Sequence, residues 1–204
     1  MLKIYGVKTS SNVQKVLWCC GELGLAFQRE DVGSALGNNR TPAYLSLNPN
    51  GLVPTIDEDG FILWESNVIV RYLAAKYGMG TLCPSDLADR ADAERWMDWQ
   101  QTSLVPHMTI AFRGMLKRPP DVIPETDLQG AIRKAGDTWK ILDAQLADQP
   151  FVAGGALTVG DIALGNAVHR WFKLPIDHPQ LPSLKAWYGR LCSRPAYVQH
   201  IASV

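Results

Sequence analysis

Over residues 1–78, apolar positions alternate between strand-like and helical spacing. Leu2–Tyr5 forms a short apolar run of strand type. Ser10-Ser11-Asn12 then offers capping side chains ahead of Val13, Val16, Leu17, Cys20 and Leu23, which recur at helical spacing until Gly24 ends the pattern. Residues 26–32 fit a second strand, and a short helix begins at Pro42. Asn48-Pro49-Asn50-Gly51 is a strong turn signal. Beyond it, Val53-Pro54-Thr55-Ile56-Asp57 and Phe61-Ile62-Leu63 flank Glu58-Asp59-Gly60 as a hairpin. Glu65-Ser66 opens a helix whose apolar face is Val68, Ile69, Tyr72 and Leu73. The order β-α-β-α-β-β-α predicts a mixed sheet covered by helices.

The texture changes after Tyr77. Residues 78–85, with Gly, Pro and Ser, read as a linker, and no strand pattern follows. Amphipathic helical stretches cover residues 86–117 and 124–146, separated by Arg118-Pro119-Pro120, a helix break. Shorter ones span 159–171, 182–191 and 195–201. Two domains are therefore expected, an α/β unit over 1–78 and an all-α unit over 86–204. Thr158-Val159-Gly160-Asp161 has the form of a capping box, with Leu157 and Ile162 placed as a hydrophobic staple. This assigns Asp161 to a helix start rather than to catalysis.

Composition narrows the function. The chain has 204 residues, 47% hydrophobic and 20% charged, enough to bury a core. Twenty basic side chains balance twenty acidic ones, and the strongest basic cluster is only Lys117-Arg118, so no nucleic-acid partner is expected. No apolar run approaches the roughly 20 residues of a membrane span. No signal-peptide layout opens the sequence, so the expected location is cytoplasmic. Cys19, Cys20, Cys83 and Cys192 lack chelating spacing and read as buried reduced thiols. His107, His169, His178 and His200 likewise lack it, and no metal site is expected.

Three segments of the first unit could carry chemistry. Ser10, Ser11 and Asn12 stand at a helix N-terminus, where unpaired N–H groups and a partial positive charge favour an anion. A hydroxyl there could donate to a thiolate, and the same residues would equally make an ordinary cap. Gly51-Leu52-Val53-Pro54 opens a strand with a proline. A cis bond would free the Val53 backbone to pair with an extended peptide, whereas an ordinary edge proline would not. Glu65 and Ser66 could receive the ammonium and carboxylate of an amino-acid head group, or simply start a helix.

Together these segments, with Trp64 through Leu73 and the helical half around Thr158–Asp161, resemble the cytosolic glutathione S-transferases, of serine type with theta-, zeta- and bacterial-like features. The resemblance implies a thioredoxin-like N-terminal domain that binds glutathione as co-substrate. It also implies an all-helical domain that contributes the electrophile site. Val53 would pair with the cysteinyl backbone beside cis-Pro54, and Glu65 and Ser66 would hold the γ-glutamyl group. Asn39 would face the glycyl end. Leu52, at a position often Lys, would hold that end more weakly. Ser10 matches the thiol-activating serine, with Ser11 and Asn12 beside it. Tyr5 falls near the catalytic tyrosine of other classes, as a less favoured candidate. His107, Met108, Ala111 and Phe112 are candidates for the electrophile pocket, and packing would use the same residues. The implied activity is attack of a glutathione thiolate on a small electrophile by a homodimer, without a metal. Glutathione-dependent disulfide reduction, isomerisation or dehalogenation, and non-catalytic binding, are the alternatives.

Overall fold

A computed structural model of the chain describes residues 1–116 and 123–204. The Lys117-Arg118 cluster and the Pro119-Pro120 break lie outside the described residues. The chain divides into two compact units, Met1–Cys83 with Arg194–Val204, and Pro84–Ser193.

The first unit holds four strands, β1 (Leu2–Tyr5), β2 (Phe27–Glu30), β3 (Thr55–Glu58) and β4 (Phe61–Trp64), in the spatial order β2-β1-β3-β4. β1 pairs parallel to β2 with Leu2 opposite Phe27, and antiparallel to β3 with Tyr5 opposite Thr55. The β3–β4 hairpin sets Thr55 opposite Trp64. Leu2, Ile4 and Ile56 are buried, while Lys3 faces out, the alternation of a sheet covered on one face. Helices α1 (Ser11–Glu22), α2 (Pro42–Leu47) and α3 (Ser66–Tyr77) complete the predicted order.

α1 is more deeply enclosed than its amphipathic spacing predicts. Every residue from Val13 to Cys20 is buried, including Gln14 and Lys15. α3 packs against it, and so does the C-terminal segment, α9 (Pro195–Tyr197) with the π turn Val198–Ala202. Tyr197 meets Trp18 edge to face with ring centroids 4.8 Å apart. Arg194 grips Glu22 through two bonds, Nε to Oε1 at 2.8 Å and Nη2 to Oε2 at 2.6 Å. Residues 194–204 therefore group with the sheet unit, whereas the sequence pattern attached them to the helical one.

The second unit contains α4 (Leu87–Trp99), α5 (Val105–Met115), α6 (Glu125–Gln145), α7 (Val159–Lys173) and α8 (Pro182–Cys192). The single stretch expected over 86–117 is two helices joined by a π turn at Gln100–Leu104. Pro106 has no N–H for the carbonyl four residues back, so the ladder must rearrange there. Trp139, Trp171 and Trp187 are buried in this core. A Cβ on Gly160 would come within 2.8 Å of Ala93 O and of Val152 Cγ2, so only glycine permits this approach of α4 and α7.

The capping box at Thr158 forms. Asp161 is fully buried and accepts from Thr158 N–H at 2.8 Å, Val152 N–H at 3.1 Å and Trp187 Nε1 at 2.9 Å. Burial pushes its carboxyl up to about 6, against the pull of these donors. Asp161 thus ties three segments of the helical unit together. Thr158 Oγ1 donates to it as well, at 3.2 Å, so replacing it with alanine strands four buried donors, and Asp161→Ala is expected to lower stability by about 3–5 kcal/mol in urea denaturation.

Candidate functional site

The head of α1 is built by a short chain of backbone bonds. Val7 N–H donates to Val32 O at 3.0 Å and Ser10 N–H donates to Val7 O at 3.1 Å, which aims the chain into the helix. Ser10 is the N-cap residue, extended at φ −76 and ψ 124, and its hydroxyl makes no capping bond. Its carbonyl accepts from Gln14 N–H at 2.9 Å. Ser10 and Ser11 are half-buried and Asn12 is exposed. The result is a helix N-terminus with an uncommitted hydroxyl at its tip.

The segment from Asn48 to Pro54 is held from beneath. Tyr44, buried on α2, donates its hydroxyl to Leu52 O at 2.6 Å and lies 2.9 Å from Thr55 Oγ1. Asn48 Nδ2 donates to the same Leu52 carbonyl at 2.9 Å, and Asn48 Oδ1 accepts from Asn50 N–H at 3.1 Å. Asn39 Nδ2 donates to Gly51 O at 2.8 Å. Gly51 itself turns at φ +60, a conformation that favours glycine. The Val53–Pro54 peptide bond is cis, and β3 begins only at Thr55. Among the described residues, no hydrogen bond engages the Val53 backbone.

The head of α3 forms the opposite wall. Glu65 sits at φ +74 and ψ 106, unusual for a residue with a side chain, and its carbonyl accepts from Ile69 N–H at 2.9 Å. Strained positions of this kind persist where the surroundings impose them and cluster at functional sites. Ser66, the next residue, is buried. Behind it Asn67 Oδ1 accepts from Lys15 Nζ at 2.9 Å, and burial pushes the Lys15 ammonium down to about 8 against the attraction of Glu65.

A pocket of about 140 Å³ joins these pieces, lined by Asn12, Asn48, Asn50, Leu52, Val53, Pro54, Glu65 and Ser66. Six of the residues expected from sequence thus share one cavity. Ser10 and Ser11 precede Asn12 at its rim and are not in its lining. Asn39 supports the loop, its amide nitrogen taken by Gly51. Tyr5 packs edge to face on Tyr44 at 6.3 Å between centroids. Burial raises its phenol pKa, with Asp57 and Glu30 adding to the rise, which disfavours a tyrosinate. In the helical unit, Met108 and Ala111 are buried, and His107 and Phe112 are half-buried. The Arg170 guanidinium covers the Phe112 ring at 4.5 Å. In the sequence Asn48 and Asn50 read only as a turn, and Lys15 reads as the polar side of a helix. No local signal marks Lys15, whose neighbours one turn back are Ser11 and Asn12.

The cysteines are all free. Cys19, Cys20 and Cys83 are buried, while Cys192 is half-buried rather than buried as expected. Burial pushes the Cys20 thiol up to about 12, leaving it unreactive. Among the described residues, no group of His, Cys, Asp and Glu has the arrangement of a metal site, and no helix is long and apolar enough to cross a membrane.

A thioredoxin-like sheet unit with its pocket at two helix heads, followed in the chain by a helical unit, defines a two-unit transferase architecture. Profiles described as "Glutathione S-transferase, N-terminal domain" and "Glutathione S-transferase, C-terminal domain" match residues 9–76 and 125–190. The chain is 37% identical over 198 residues to Glutathione S-transferase GstB of Escherichia coli (strain K12), spanning 96% of this chain and 95% of that one. It is 29% identical to Glutathione S-transferase 3 of Zea mays, spanning 100% and 94%. The theta class glutathione S-transferase of Xanthomonas axonopodis pv. citri, solved with glutathione bound, superposes with a TM-score of 0.94 at 43% identity, covering 100% of this chain and 98% of that one. The chain belongs to the glutathione S-transferase family.

The backbone at Glu65 yields a local prediction. At φ +74 glycine is unstrained and alanine is not, so Glu65→Gly is expected to be about 1 kcal/mol more stable than Glu65→Ala in urea denaturation.

Proposed function

We propose that the pocket of the first unit binds glutathione and that Ser10 stabilises its thiolate for attack on a small electrophile. The observation that carries this reading is the pocket itself. One wall is the head of α1, another the unpaired Val53 backbone beside cis-Pro54, and the third Glu65 and Ser66 at the head of α3. An extended peptide would add to Val53 as a short strand, while its amino-acid head group meets Glu65 through the ammonium and Ser66 through the carboxylate. Its thiol would then lie towards Ser10. Leu52 presents an apolar, exposed side chain at the remaining end. Asn39 acts there by fixing Gly51. The relative solved with glutathione bound covers the whole of this chain, which supports the assignment.

The chemistry needs a thiolate. A free thiol with a pKa near 8.5 is only a few per cent ionised at neutral pH, and lowering the pKa by about two units takes about 2.7 kcal/mol. A hydroxyl donating to an anion contributes about 1.5–3 kcal/mol, and a helix N-terminus up to about 1 more. The Ser10 hydroxyl makes no bond to its own helix and so is available as that donor. Tyr5 is the weaker candidate, since burial and two carboxylates hold its proton. Ionisation gives only about a tenfold gain in rate, so holding the electrophile in place supplies the rest. Of the candidates for that role in the helical unit, His107 and Phe112 on α5 are half-buried, with Arg170 over the Phe112 ring, and Met108 and Ala111 are buried.

The protein works without a metal, as a homodimer in the cytoplasm, in the detoxification of electrophiles. In the first unit Phe61 and Trp64 on β4 and Val68 and Tyr77 on α3 are exposed large apolar side chains, of which a second copy could cover some. Sedimentation at working concentration should give twice the chain mass, and a monomer would refute the dimer.

Titrating glutathione absorbance near 240 nm against pH tests the mechanism. The bound thiol should ionise well below free glutathione. Ser10→Ala should return its pKa most of the way and lower kcat/KM by about 10²-fold. Binding with an unshifted pKa would point instead to a carrier or regulatory protein.

A further inference from the structure

Lys15 is a buried cation on α1 outside the pocket lining. It lies one helical turn beyond Ser11, and its ammonium reaches Asn67 in the first turn of α3. The residue is only 4% exposed, and its ammonium has one hydrogen bond, to Asn67 Oδ1 at 2.9 Å. An ammonium has three donors, and enclosing it with a single bond is costly unless other charge compensates. The compensating charge on the protein is the Glu65 carboxylate, which draws the Lys15 pKa upward against burial. At neutral pH the side chain is therefore mostly cationic. A methionine would fill the same helical position at lower desolvation cost, so the charge calls for an explanation beyond packing.

Its surroundings supply one. Asn67 follows Ser66 directly, and Ser66 and Glu65 line the same pocket as Asn12 at the head of α1. Two helix N-termini thus line one cavity, each with a partial positive charge, and Lys15 adds a full charge at Asn67, beside the head of α3. Against this stands Glu65, negative, on the rim. The end of the pocket is a fixed dipole with the polarity of an α-amino acid head group, negative where an ammonium would sit and positive where a carboxylate would sit.

We propose that Lys15 is a positioning residue for the γ-glutamyl α-carboxylate, acting through Asn67 and the head of α3 without touching the ligand. This rests on the reading of the pocket as a glutathione site. The buried cation sets the potential at Ser66 so that the ligand's carboxylate is attracted while Glu65 takes its ammonium. Without the charge, the site would keep its shape and become net negative, losing the carboxylate half of the recognition.

The test compares two ligands on three proteins by calorimetry at neutral pH. One ligand is glutathione. The other is its analogue with 4-aminobutyryl in place of γ-glutamyl, which lacks only the α-carboxylate. Lys15→Gln keeps a donor for Asn67 and removes the charge, and should weaken glutathione binding about tenfold while leaving the analogue within about twofold. Lys15→Arg restores the charge and should recover most of the loss. Should the glutamine variant fold poorly, Lys15→Met removes the charge with an apolar side chain and must show the same selectivity. Equal loss for both ligands, or loss for neither, overturns the inference, because a lysine that merely braces α1 on α3 cannot distinguish them. Failure of the unaltered protein to bind glutathione overturns the reading of the pocket itself, and the inference with it.

Discussion

The enclosure of α1 is the constraint on which the rest of the first unit depends. A helix buried along the whole of Val13–Cys20 has no freedom to slide or rotate, and the three residues at its head inherit that fixity. α3 packs on one side of it, and the C-terminal segment closes on it through Tyr197 on Trp18 and Arg194 on Glu22. Under the proposed mechanism such support matters at Ser10, since a displacement of about 1 Å can cost 10²-fold in rate. The site sits on a rigid element because that element is covered on more than one side.

The pocket draws its precision from a different source. The loop from Asn48 to Pro54 has no ladder of its own, and its carbonyls are fixed one at a time by Asn39, Tyr44 and Asn48. These bonds leave the Val53 peptide groups as the unpaired stretch beside the sheet. Preorganisation of this kind pairs the Gly51 and Leu52 carbonyls and leaves the Val53 groups open.

Much of this was legible in the chain. The strand–helix order of the first unit followed from period alone, because each element buries one face and keeps the spacing of its type. The capping box was legible because its residues are adjacent in sequence and its chemistry is local. The pocket residues Val53, Pro54, Glu65 and Ser66 came from motif spacing rather than from periodicity, which treats them as an edge and a cap. What stayed hidden depends on distant partners. The docking of residues 194–204 onto α1 turns on Arg194 meeting Glu22, and no local pattern pairs them. Lys15 looks like any polar helical position until Asn67 and Glu65 are brought beside it. The division of the 86–117 stretch rests on Pro106, whose effect near the start of a helix depends on whether the preceding turn can widen.

Attachment of the last eleven residues to the first unit also bears on how the protein is made. During synthesis, the sheet and α1–α3 leave the ribosome first, with the outer side of α1 bare around Trp18 and the Glu22 carboxylate unpaired. The partners for that surface arrive only after the entire helical unit has been translated. Until then the nascent first unit carries an exposed aromatic seam of the kind chaperones hold. Residues 194–204, closing on α1, then complete the support of the helix whose head carries Ser10.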